Sequence, residues 1–260
     1  MLGKLLKHEL KATSRYLLPI FAILALFTLL ARIVLGLDIF NGALSFISGF
    51  VMLGYVLSMV AIVVVTIVVL VMRFYKNLTS DEGYLMFTLP VKPSQLINSK
   101  LIIAFFWSVL SFIGVFLAIF VLVLTETDME TVNRMIWGQI NSEFKNYTTL
   151  FIIELIILAI ISAINKILHV YASIALGQLL NGRRLLGSFG AYIGITVAIQ
   201  FVATAALLVF GLAYNSELTK LTTSTLVTAF FPIVIISTIV LNAIFYFTTD
   251  YLFSKKLNLE

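Results

Sequence analysis

Long apolar runs alternate with short polar breaks along this chain, and the runs set its architecture. Six apolar segments can be read: Leu17 to Leu37, Ser48 to Met72, Leu101 to Leu124, Thr148 to about Ile164, about Leu186 to Leu212, and Leu226 to about Tyr251. A hydrocarbon core of about 30 Å needs about 20 apolar residues as a helix, and each segment is near that length. Runs such as "VMLGYVLSMVAIVVVTIVVLV" do not alternate apolar and polar residues as a membrane barrel requires. The pattern therefore predicts an all-α membrane protein, with residues 1–260 as one transmembrane domain of six helices. Pro232 lies near one end of the sixth segment, where a neighbouring helix or a local kink can absorb it.

Four stretches do not span. In residues 1–16, "MLGKLLKHELKATSRY", Leu2, Leu5, Leu6 and Leu10 fall at helical spacing opposite Lys4, Lys7, Lys11 and Arg15. This predicts an amphipathic helix in the headgroup layer before the first crossing. The stretch is too long and too charged for a cleavable leader, and no small-x-small site follows the next apolar run. In the segment 125–147, Met129, Val132, Ile136 and Ile140 repeat at helical spacing, which predicts a short helix lying on the outer leaflet. Asn165 to Arg184 is expected as a cytoplasmic connection, and Lys76 to Gln95 as a cytoplasmic insert.

Composition removes the soluble alternative. Of 260 residues, 61% are hydrophobic and 11% charged, and the mean hydropathy is +1.11. Soluble domains run about 45–50% apolar and about 25% charged. The absence of cysteine excludes disulfides, thiolate metal sites and a cysteine nucleophile. The net charge of +5 does not point to nucleic acid, because the basic residues are divided among separate loops. With six crossings, most of them fall on one face, from Lys4 through Arg73, Lys100 and Arg183 to Lys256. The opposite face collects Asp38, Glu126, Asp128, Glu130, Glu143 and Glu217. By the positive-inside rule both termini are expected in the cytoplasm.

The insert has its own chemistry. Thr79 and Glu82 have capping-box spacing, and Asp81 and Glu82 suit a helix first turn. Tyr84, Leu85, Phe87 and Leu89 follow; Pro90 stops the helix, and Pro93 suits the first turn of the next one. This predicts a surface helix of about two turns over residues 79–89. The residues alone fit two roles: a helix resting in lipid headgroups, or an aromatic knob docking into a partner's groove.

The run "DEGYLMFTLPVKPSQLINSKLI" resembles the segment after the second transmembrane helix of ABC-2-type ABC transporter permeases. In that family an acidic-Gly-aromatic/leucine run ends in Leu-Pro-Val, and a Lys opens the third helix. The N-terminal amphipathic helix, the six crossings and the fifth-helix entry "LGQLLNGRRLLGSFGAYIG" are similar too. The likeness in layout covers the chain, and its specific motif is confined to Thr79–Lys100. It implies that residues 79–89 are a coupling helix seated in a cleft of a separate ATP-hydrolysing subunit. Asp81, Glu82, Gly83, Tyr84, Leu85 and Phe87 would make that contact. Gly83 departs from good helix propensity. The resemblance further implies ATP and Mg on the partner, no cofactor or catalytic residue in this chain, and a second permease subunit, identical or related. The setting would be a bacterial plasma membrane, and the cargo an amphipathic peptide, lipid or drug, with peptide preferred.

Other residues carry weaker signals. Gly177 and Gly182 have P-loop spacing, but Arg183 and Arg184 replace the Lys and Ser/Thr that cradle phosphate, and no strand precedes them. His8 and His169 have no metal-ligand partner at useful spacing, so no metal site is expected. Glu154 is an acid inside the fourth apolar run, where a functional role and a protonated structural role are both open. Gln200 and Asn242 fall near mid-membrane and suit hydrogen bonding between helices. Gly187, Gly190 and Gly194 suit close helix packing, within or between subunits. Two rival functions remain on these residues: a membrane scaffold or sensor holding a cytoplasmic partner, and a proton-coupled transporter using Glu154.

Overall fold

The computed structural model describes residues 2–37, 45–79, 92–126, 129–180, 183–213 and 223–255. Among these residues all regular structure is helical: α1 (Leu2–Gly36), α2 (Ser45–Thr79), α3 (Pro93–Glu126), α4 (Met129–Phe144), α5 (Thr148–Gly177), α6 (Arg184–Ala213) and α7 (Phe231–Lys255). Six of them, all but α4, are long and apolar enough to cross a membrane. Their exposed surfaces carry large apolar side chains, such as Phe50 on α2 at 65% and Phe201 on α6 at 76%. Such faces suit hydrocarbon and not water.

Two boundaries differ from the sequence reading. Residues 2–16 are helical as expected, but they run without a break into the first span, with Pro19 inside the helix. A proline there forfeits one backbone hydrogen bond. The stretch Asn165–Gly177, expected as part of a connection, is helical and continues α5. Its Leu168, His169, Tyr171, Ala172 and Ile174 are buried, so packing extends the helix past the polar residues Asn165 and Lys166. The 125–147 segment does hold a helix, α4, followed by a short 3₁₀ turn at Lys145–Tyr147.

The chain divides into two compact units: residues 1–76 with 95–138, and residues 77–94 with 139–260. In the first unit, Phe27 of α1 lies against Gly54 of α2, where any Cβ would run into the ring. Phe21 of α1 lies 3.1 Å from the Cβ position of Gly114 on α3. Arg32 of α1 donates to the Val121 carbonyl of α3 at 3.2 Å, and Thr66 of α2 shares a 2.8 Å hydroxyl bond with Ser111 of α3. These pairings make α1 antiparallel to α2 and parallel to α3. Leu24, Ala31, Val51, Tyr55, Ile62 and Ala118 form the apolar core between them.

In the second unit α5 is the central helix. Gly177 packs so closely on Ser188 of α6 that an added Cβ would overlap both its side chain and its backbone. Phe151 of α5 meets Phe231 of α7 edge-on at 5.6 Å, and Phe144 stacks on Phe151 at 3.8 Å. α7 is entered through a π-turn, Leu226–Phe230, in which the Phe231 N–H reaches the Leu226 carbonyl. Pro232 follows at once. The wide turn accommodates a residue with no N–H to give.

Candidate functional site

The six expected contact residues, Asp81, Glu82, Gly83, Tyr84, Leu85 and Phe87, lie outside the described residues, as does Pro90. The helices on either side of them are described. Pro93 is the first residue of α3, the position its fixed φ and missing N–H favour.

Both flanking helices are tied to one carboxylate. Glu9 on α1 is buried, and its Oε1 accepts from Lys100 Nζ of α3 at 2.6 Å. Its Oε2 accepts from Arg73 Nε of α2 at 3.1 Å. The Lys100 side chain is 4% exposed and that of Arg73 24%, so the lysine depends more on the pair. One turn along α1, Thr13 donates to the Glu9 carbonyl at 2.8 Å. The same hydroxyl accepts from Trp107 Nε1 of α3 at 2.7 Å. A turn further, Leu17 is fully buried against Ile103 and Trp107. Thus Glu9, Thr13 and Leu17, at successive i+4 positions, present a buried stripe to α2 and α3.

The sequence reading placed α1's leucines opposite its lysines but overlooked this stripe. Leu10 is exposed at 39%, while the polar Glu9 and Thr13 are buried. A signal was present: Glu9 is the sole acid in residues 1–37. Its partners stand 64 and 91 residues away.

The second unit holds the intramembrane polar candidates, and it separates them. Asn242 of α7 donates to the Ile161 carbonyl at 3.1 Å and accepts from Asn165 Nδ2 at 2.9 Å, bridging α7 to α5. Glu154 is buried, and its Oε2 has no hydrogen-bond partner among the described residues. Gln200 is exposed on α6. Gly187 packs against Leu180 and the Gly177 carbonyl, whereas Gly190 and Gly194 face open space. The pseudo-P-loop glycine Gly177 closes an α-helix. His169, one of the two histidines in the chain, lies between the rings of Tyr192 at 4.6 Å and Phe245 at 5.3 Å, joining α5, α6 and α7. Among the described residues, no three His, Asp or Glu side chains converge as metal ligands would.

No protein-family model, curated protein or solved structure matches this chain.

Proposed function

We propose that this chain is the membrane subunit of an ABC-2-type exporter in a bacterial plasma membrane, with both termini cytoplasmic. The Glu9 ion-pair node is the observation that supports this reading best. It fixes the last turns of α2 and the first turns of α3 to α1. These are the two helices that flank the insert. A force on a coupling helix at residues 79–89 would then move three helices together instead of bending one connection.

In this reading ATP and Mg bind a separate subunit, whose closure pushes on Asp81, Glu82, Gly83, Tyr84, Leu85 and Phe87. The node passes that displacement to α1, α2 and α3. A second permease subunit, identical or related, completes the pathway, and the open faces of Gly190 and Gly194 are available for packing against it. The cargo is amphipathic, with peptide preferred. The test is purification of the tagged full chain from its own host's membranes. An ATPase subunit with a P-loop should accompany it, and recovery of the chain without one in every gentle detergent tried would remove the proposal.

A further inference from the structure

A groove of about 250 Å³ opens between α1 and α2, lined by His8, Lys11, Ala12, Arg15 and Tyr16 of α1 and by Arg73 of α2. The five α1 residues fall at i, i+3, i+4, i+7 and i+8, so they form one continuous stripe. Arg73 faces that stripe from the neighbouring helix while its Nε is tied to Glu9. This bond fixes the guanidinium in the groove wall and leaves Nη1 and Nη2 without a partner among the described residues. Lys11 and Arg15 likewise make no ion pair among the described residues. Glu9 does not line the groove, and both its oxygens are already engaged. The groove thus gathers cations with no carboxylate in its wall.

Its depth along α1 says which anion suits it. Arg15 is the last charge before the apolar run that begins at Leu17, and Tyr16 stands at the junction, 58% exposed. Tyrosine at such a junction marks the headgroup level of a bilayer. Leu18, two residues on, is 57% exposed, giving an acyl chain an apolar surface to lie along. We propose that this groove binds the phosphate of an anionic phospholipid headgroup, with Lys11, Arg15 and Arg73 as its cationic ligands and Tyr16 at the glycerol level. The guanidinium groups suit a phosphate's paired oxygens, and Lys11 adds a point charge. The volume holds a phosphate with several waters, since each water takes about 30 Å³.

A built site differs from general attraction of a basic helix to an acidic membrane, and two pairs of variants separate them. Lys11→Gln with Arg15→Gln removes two groove cations. Lys4→Gln with Lys7→Gln removes the same charge from the same helix outside the groove. Native mass spectrometry of the full chain in detergent, titrated with phosphatidylglycerol, phosphatidylcholine or inorganic phosphate, reads retention directly. Phosphatidylglycerol should be retained in preference to phosphatidylcholine. The groove pair should weaken it about fivefold per cation, or about 25-fold together, and the outer pair much less. Lys11→Arg with Arg15→Lys keeps both charges and should retain the lipid, which guards against a folding defect in the glutamine variant. Equal weakening by the two glutamine pairs would overturn the site in favour of general attraction. Displacement of the lipid by inorganic phosphate would assign the groove to a soluble anion instead. Loss of lipid in the charge-preserving variant, or no preference over phosphatidylcholine, would also overturn the proposal.

Discussion

Glu9 and Lys100 are 91 residues apart in the chain and 2.6 Å apart in the structure, carboxylate to ammonium. Both side chains are nearly closed to solvent, at 9% and 4% exposure. Breaking such a pair leaves a buried charge without its counterion, at a cost of about 3–5 kcal/mol. Glu9→Gln should therefore lower the thermal midpoint of the purified chain more than Arg73→Gln does, because it takes the carboxylate from both cations, whereas Arg73→Gln leaves Glu9 paired with Lys100. Detergent-solubilised thermal unfolding measures both. An unchanged midpoint for Glu9→Gln would show that the node does not hold α1 to α3.

Asn242 is the polar bridge of the second unit, and its two bonds are unequal in what each partner loses. Asn242→Leu removes both the bond to the Ile161 carbonyl and that to Asn165. Asn165→Leu removes one. Hydrogen bonds between membrane helices contribute about 0.6–2 kcal/mol. The first variant should be the less stable of the two in a denaturant titration in micelles. Equal stability of the two variants would mean that the Ile161 bond contributes nothing.

Gly177 and Gly190 predict opposite outcomes from the same substitution. A methyl group at Gly177 overlaps Ser188, backbone included, and overpacking costs about 1–3 kcal/mol. At Gly190 nothing lies within 4 Å, so alanine there should stabilise the helix by about 0.5–1 kcal/mol. Thermal midpoints of Gly177→Ala and Gly190→Ala should shift in opposite directions. A Gly190→Ala protein that is stable as a monomer but no longer dimerises would place that glycine at the contact between subunits.

These cases show where sequence was sufficient and where it was not. Lipid imposes a length and an apolar composition on any crossing helix, so six spans could be read from runs alone. The helix α4 was legible for a similar reason: Met129, Val132, Ile136 and Ile140 repeat at a helical period. The continuation of α5 through Asn165–Gly177 was not, because polar residues such as Asn165 and His169 look like a connection until their partners are known. Asn165 is bonded to Asn242 and His169 lies between two rings. The glycine pattern at Gly190 and Gly194 tells that a close approach is possible but not what approaches. Glu9 was overlooked because its meaning lies in Arg73 and Lys100, and no local spacing connects them.

In the proposed function the insert docks an ATP-hydrolysing subunit. The most direct measurement compares ATPase co-purification of the wild-type chain with that of Tyr84→Ala and Phe87→Ala together, at equal expression in host membranes. The wild type should bring down a stoichiometric P-loop subunit, and the double variant should lose it while remaining folded. A double variant that retains the ATPase and full transport would contradict the docking role of residues 79–89.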